Sequence, residues 1–177
     1  MSYLTIFALI FLIIFTLVAS IDGIYFHLFK YKLYSRPESI KEHHLHTLNS
    51  FLFPLTIVFL FIFNKGGLLL WLAVILTILT LIVEFIDVFE EKKSRMKLGG
   101  LTSLEYSMHF GMSGIRATYT TLVFAGKPLF AWSLSAPLLI PLKVIPYPFS
   151  IITLSVAILG VPIFIIHYYL GRKFEKK

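Results

Sequence analysis

Long apolar stretches separated by short polar segments dominate the chain. They fall near residues 3–33, 37–63, 68–93, 102–124 and 150–171, and each approaches or exceeds the roughly 20 residues that a helix needs to cross the hydrocarbon core of a bilayer. The pattern predicts an all-α integral membrane protein with about five transmembrane helices in a single domain, residues 1–177. The first stretch is too long for a typical signal peptide and has no basic residues before it, so we expect a retained helix.

Turn-forming residues separate the predicted helices. Pro37 opens the second helix, residues 64–67 (Asn-Lys-Gly-Gly) form a turn before the third, and Gly99 and Gly100 precede the fourth. Residues 125–149 are apolar but contain five prolines, which argue against a straight helix. We expect this proline-rich segment to be interfacial or re-entrant.

Composition agrees with a membrane location. The chain is 58% hydrophobic and only 14% charged, whereas a soluble domain has about 25% charged residues. Its net charge of +7 comes from basic residues near the predicted helix ends, which favours the lipid bilayer as partner over nucleic acid. The chain contains no cysteine, so a bound metal must use histidine, aspartate, glutamate or water as ligands.

The basic residues also predict an orientation. One set of connections, together with the C-terminal tail, carries most of them, and the other side carries only Lys65, Lys127 and Lys143. The positive-inside rule places the rich side in the cytoplasm. This gives an outer N-terminus and a cytoplasmic C-terminus, and the expected location is a bacterial inner (cytoplasmic) membrane.

Histidines and carboxylates gather at the predicted cytoplasmic end. All six histidines and all nine acidic residues fall there. Glu42 and His46 are four residues apart, as are Glu105 and His109, so each pair lies on one helix face. Helices 1 and 3 contribute Asp22 and Asp87, so the first two helices echo the next two, which suggests a duplicated hairpin.

Carboxylates and imidazoles from four facing helices are the ligands of dinuclear metal centres in helical bundles. The predicted site resembles that of di-iron carboxylate proteins in kind, although their Glu-x-x-His motif is one residue shorter than the spacing here. The expected ligands are therefore Asp22, Glu42, His46, Asp87, Glu105 and His109, with His27, Glu84 and His167 as second-tier candidates. Iron is the favoured metal, with manganese or zinc as alternatives.

Arg116 needs a partner inside the membrane, and Glu84 is the best candidate; alternatively Arg116 holds an anionic group of the substrate. Other polar residues have simpler interpretations. We expect His43 and His44 to be solvated, and Glu90 and Glu91 to belong to an interfacial charge run.

The favoured hypothesis is a membrane-embedded, metal-dependent oxidoreductase, with a di-iron centre and a lipid or other hydrophobic small molecule as substrate. The bundle of helices 1–4 would hold this site at its cytoplasmic end. Four alternatives use the same residues: a metal-ion or proton transporter, a b-type haem protein with His46 and His109 as axial ligands, a zinc-dependent lipid hydrolase, and an accessory membrane subunit. A homo-oligomer or a larger membrane complex is compatible with each of them.

Overall fold

The structure, a computed structural model, describes residues 3–134, 140–141 and 147–175. It confirms the all-α class, and its five helices begin and end within about four residues of the predicted ranges. They are α1 (Tyr3–Ser20, continued by a π-helix at Ile21–Lys30), α2 (Ile40–Ile57, continued by a π-helix at Val58–Ile62), α3 (Leu68–Arg95), α4 (Ser103–Ala125) and α5 (Tyr147–Glu175).

Short elements connect the helices. Four 3₁₀ turns lie at Leu33–Ser35, Pro37–Ser39, Met96–Leu98 and Leu129–Trp132. Two strands, β1 (Lys65–Gly66) and β2 (Ile140–Pro141), pair antiparallel, so part of the proline-rich segment lies against the turn between α2 and α3. Residues 135–139 and 142–146 of that segment lie outside the described residues, and its re-entry into the membrane stays a prediction.

Among the described residues, four helical segments are long and apolar enough to cross a membrane: Tyr3–Ser35, Pro37–Ile62, Leu68–Leu98 and Tyr147–Phe174. α4 has 23 residues and is about 34 Å long at 1.5 Å per residue. Its buried face carries the polar side chains Glu105, Arg116, Tyr119 and Thr120. Large apolar side chains such as Ile75, Ile82 and Phe85 are exposed on α3, as expected for a surface that contacts lipid.

The helices pack in pairs. α1 lies along α4, and α2 lies along both α3 and α5. At one end, which we call the apolar end, hydrophobic side chains fill the interior: Ala8, Leu9, Leu12, Phe15, Ile57, Leu60, Phe61, Ala73, Tyr119, Val123, Val156 and Ala157. The other end, which we call the polar end, contains a cavity of about 400 Å³ bordered by all five helices.

Candidate metal centre

The π-helix that continues α1 brings Asp22 and His27 together. In an α-helix, residues five apart point about 140° away from each other around the axis. A π-helix instead repeats its hydrogen bonds every five residues, as in the bond from the Tyr31 N–H to the Phe26 carbonyl (2.9 Å). His27 Nε2 consequently lies 3.4 Å from Asp22 Oδ2, and both side chains are buried.

Side chains from α2 and α3 converge on the same place. One ligand atom from each of Asp22, His27 and His46 lies within 4.8 Å of the other two. Glu42 Oε1 is 3.9 Å from both His27 Nε2 and His46 Nε2. Asp87 Oδ2 is 3.0 Å from His46 Nε2. Glu42 and Asp87 therefore lie beside a group of three potential metal ligands.

His109 of α4 extends this group through a shared carboxylate. Its Nε2 is 2.9 Å from Asp22 Oδ1, and its Nδ1 is 2.7 Å from Glu91 Oε1. The His27 ring lies 3.9 Å from the His46 ring and 6.0 Å from the His109 ring, measured between centroids. We refer to the whole set as the His-carboxylate cluster: Asp22, His27, Glu42, His46, Asp87, Glu91 and His109.

Several buried atoms of this cluster have no hydrogen-bond partner within the part of the chain that the structure describes. They are His27 Nε2, Glu42 Oε1, His46 Nε2, Asp87 Oδ1 and Glu91 Oε1. Two of these atoms are nevertheless in close ion-pair contact: His46 Nε2 lies 3.0 Å from Asp87 Oδ2 and Glu91 Oε1 lies 2.7 Å from His109 Nδ1, although neither pair is aligned as a hydrogen bond. Buried polar atoms are normally satisfied, so this arrangement fits side chains that point towards a common cation. Imidazole nitrogens and carboxylate oxygens suit iron, manganese or zinc.

Two contacts in the cluster correspond to the repeat between the first and the second helical hairpin in the sequence. Asp22 of the first helical hairpin contacts His109 of the second, and Asp87 of the second contacts His46 of the first. Each pair therefore joins the two halves of the bundle in an equivalent way, which is the arrangement expected of two related half-sites.

Glu105 does not lie in the cluster, and its assignment as a metal ligand needs correction. Its carboxylate accepts hydrogen bonds from the Tyr31 hydroxyl (2.8 Å) and from Arg95 Nε (3.0 Å). It also forms a capping box with Thr102 at the N-terminus of α4. A glutamate three residues after a threonine cap satisfies backbone donors, and the buried guanidinium of Arg95 draws the same carboxylate away from the cluster.

Arg95 is the residue that sequence reasoning missed. It is one of the basic residues on the predicted cytoplasmic side, yet it is fully buried. Its Nη1 lies 2.9 Å from Glu42 Oε2 and its Nε lies 3.0 Å from Glu105 Oε1, so it links α2, α3 and α4. The signal was present in the sequence, because Arg95 continues the polar stripe that runs along α3 through Asp87 and Glu91.

Two further expectations were wrong. Glu91 is buried against His109, whereas its neighbour Glu90 forms the expected surface pairs with lysines. His43 is also fully buried. Its ring stacks on the His167 ring at a centroid distance of 5.1 Å, because α2 and α5 pack closely there, whereas His44 is exposed as expected.

The second-tier candidates divide between the cluster and the cavity. His27 belongs to the cluster, and His167 lines the cavity from α5. The expected ion pair of Arg116 with Glu84 is present, with Arg116 Nη1 at 3.5 Å from Glu84 Oε2. Ser113 donates a hydrogen bond to Glu84 Oε1 (3.1 Å). Both members of the ion pair line the cavity.

The cavity connects the cluster to the apolar interior. Asp22, His46, Asp87 and His109 border it on the polar side, and Phe15 and Phe53 border it towards the apolar end. α5 contributes an apolar wall that includes Val156, Leu159, Ile163 and Ile166. The volume of the cavity, about 400 Å³, falls within the 300–1,000 Å³ that is usual for small-molecule sites.

Comparisons with protein-family models, curated proteins and solved structures gave no match for this chain.

Proposed function

We propose that the protein is a membrane-embedded metalloenzyme, a di-iron oxidoreductase that acts on a hydrophobic substrate. In this proposal α4 also crosses the membrane, in addition to α1, α2, α3 and α5, and the polar end faces the cytoplasm. The observation that carries the proposal is the convergence of buried imidazole nitrogens and carboxylate oxygens in the His-carboxylate cluster, several of which make no aligned hydrogen bond among the described residues. Asp22, His27, Glu42, His46 and Asp87 would hold the metal, with His109 and Glu91 beside them. Bound iron would supply the redox chemistry.

Charge balance supports a cation in this place. Asp22, Glu42, Asp87, Glu91 and Glu105 are five buried carboxylates, and Arg95 is the buried guanidinium that contacts two of them. With neutral imidazoles this group has a formal charge of −4, and uncompensated buried charge is costly. Two divalent cations would neutralise it. Protonation of the three histidines is the competing way to reduce the charge, and it describes an ion-pair network without metal.

The cavity supports an apolar substrate. It lies directly beside the cluster and is walled by aliphatic and aromatic side chains of α1, α2 and α5. Such a site admits a hydrocarbon chain and excludes most water-soluble metabolites. Asp22, His46 and Asp87 border the cavity, so a substrate there would lie next to the ligands.

The apolar end argues against the transporter hypothesis. Its interior is filled by the twelve hydrophobic side chains named above, and an ion pathway needs polar groups that continue across the membrane. The haem hypothesis is also less favourable, because the His27 ring lies near both proposed axial ligands. A zinc-dependent lipid hydrolase needs the same ligands and the same cavity, so it is the second candidate.

Metal analysis of the purified protein tests the proposal. We expect about two iron ions per chain, with an absorption spectrum that lacks a Soret band. His27→Ala and His46→Ala should each lose most of the metal, while the matched control His44→Ala, an exposed neighbour on α2, should retain it. Stoichiometric zinc would favour the hydrolase, and absence of any metal from the folded protein would refute the proposal in favour of an ion-pair network.

A further inference from the structure

The Arg116–Glu84 pair is a polar group of the cavity that the proposed metal chemistry does not use. Glu84 lies one turn from Asp87 on α3, and Arg116 lies about two turns, or some 10 Å, beyond His109 on α4. The pair therefore lies deeper in the bundle than the His-carboxylate cluster. Ser113 and Asn49 contact it, and all four residues line the cavity.

The pair leaves one donor and one acceptor unsatisfied. The Arg116 side chain is only 7% exposed, and its contacts to Glu84 and Asn49 are both 3.5 Å long, beyond the usual 2.7–3.2 Å of an N–H···O hydrogen bond. Arg116 Nε and Glu84 Oε2 have no hydrogen-bond partner among the described residues. Both atoms are shielded from solvent in this arrangement, so a ligand in the cavity that the two residues line completes them when the side chains turn towards it.

The charges of the pair select the kind of ligand group. A carboxylate or phosphate accepts hydrogen bonds from Arg116, but the neighbouring negative charge of Glu84 repels it. An alkane satisfies neither atom. A hydroxyl group accepts from Arg116 and donates to Glu84, and a neutral group suits a pair whose formal charges cancel.

We infer that the cavity binds an apolar molecule that carries a hydroxyl group. The hydroxyl lies between Arg116 and Glu84, and the hydrocarbon chain lies along the α5 wall formed by residues such as Leu159 and Ile163. This inference deepens the proposed function by naming the substrate class as a lipophilic alcohol. The binding step itself needs no metal.

Photolabelling in lipid nanodiscs tests the inference on the chelator-treated protein and on the metal-loaded protein. The probes are a 16-carbon alcohol, the matched 16-carbon carboxylic acid at a pH that keeps it ionised, and a diacylglycerol, each with a diazirine in the chain. Mass spectrometry of the α5 peptide measures the labelling. We expect the alcohol to label this peptide about tenfold more than the acid does, the effect of one hydrogen bond to a charged group.

Glu84→Gln provides the decisive variant. It leaves Arg116 with an uncompensated positive charge, so labelling by the acid should rise about tenfold relative to labelling by the alcohol. Phe85→Leu is the matched control, because Phe85 is exposed on the lipid-facing side of α3, and it should keep the preference for the alcohol. If Glu84→Gln does not fold, Ser113→Ala, which removes the hydroxyl that fixes Glu84, should weaken the same preference.

The outcomes separate this inference from the proposed function. Labelling by the diacylglycerol as well as the alcohol would identify a glyceride hydroxyl as a source, and labelling by the alcohol alone a single-chain alcohol. Equal labelling by alcohol and acid in the unaltered chain, or an unchanged preference in Glu84→Gln or Ser113→Ala, would overturn the inference. Selective labelling of a protein that binds no metal would keep the inference and reject the proposed function, whereas metal binding without selective labelling would do the reverse.

Discussion

The two ends of the bundle satisfy their buried polar groups in opposite ways. Towards the apolar end, buried threonine hydroxyls donate to the carbonyl four residues earlier in their own helix, as Thr77, Thr80 and Thr120 do. Such a bond is local and leaves the packing between helices to hydrophobic side chains. Each of these hydroxyls is therefore satisfied within its own helix.

At the polar end, the contacts run between helices. His109 of α4 binds Asp22 from the π-helix after α1, and Arg95 of α3 binds carboxylates of α2 and α4. Removal of one side chain there leaves a buried partner on another helix. The difference indicates that the apolar end holds the bundle together, whereas the polar end maintains a costly arrangement of charge that fits a binding site.

Among the substitutions that test this difference between the two ends, replacement of Arg95 should change the unfolding free energy most. Arg95→Met leaves Glu42 and Glu105 buried without their cation, and loss of one partner of a buried ion pair costs about 3–5 kcal/mol. We expect the free energy of unfolding, measured by denaturant titration in mild detergent on metal-free protein, to fall by that amount. Lys97→Met is the matched control, because the Lys97 side chain is 75% exposed, and its effect should stay below about 1 kcal/mol.

A combined variant sharpens the test of Arg95. If the loss comes from uncompensated charge, Arg95→Met together with Glu42→Gln and Glu105→Gln should be less destabilised than Arg95→Met alone. A triple variant that loses more stability than the single one would show that Arg95 acts through packing, for example against the Tyr31 ring at 4.6 Å, and would contradict the charge-based account.

Much of the fold follows from sequence because hydrophobic length and turn residues set the helices of a membrane protein directly. The polar face of α3 was also predictable, because Thr77, Thr80, Glu84, Asp87 and Glu91 follow helical spacing. These residues do lie on one buried or partly buried face. The same spacing placed His46 and His109 on the inner faces of their helices.

The rest of the site depended on features that α-helical spacing does not describe. His27 could not be assigned to the face of Asp22 without the π-helix, since a π-helix changes the residues per turn. The separation of Glu105 from Glu42 was also hidden, because both belong to the same Glu-x-x-x-His pattern. The Thr-x-x-Glu spacing of Thr102 and Glu105 does indicate the capping box, but only the tertiary contacts show that Arg95 lies between the carboxylates of Glu42 and Glu105.

Overpacking at the contact between α2 and α5 should give an intermediate effect. A Cβ added at Gly160 would lie 2.9 Å from Pro54 Cγ, so Gly160→Val forces the two helices apart. We expect a loss of about 1–3 kcal/mol in unfolding free energy, measured as for Arg95, with metal content unchanged. Gly114→Val is the control, because a Cβ there meets nothing within 4 Å. Loss of metal in Gly160→Val would show that α5 also positions the cluster.

The smallest expected effect concerns Lys127, which follows α4 near the apolar end and donates a hydrogen bond to Asn64. Burial lowers the pKa of Lys127 to about 8 from its ordinary 10.5. Between these two pH values the unfolded chain holds a proton that the folded protein has released, so the contribution of Lys127 to stability rises with pH across that window.

Lys127→Met should remove this rise and should stabilise the protein at pH 7 by about 1 kcal/mol, a modest value because the side chain is partly exposed. Unfolding free energies at pH 7 and pH 10 measure the effect, with the exposed Lys173→Met as control. If the unfolding free energy of Lys127→Met depends on pH as steeply as that of the unaltered chain, burial of the Lys127 ammonium group does not destabilise the apolar end. Lys127 would then give no evidence that charge is costly at that end.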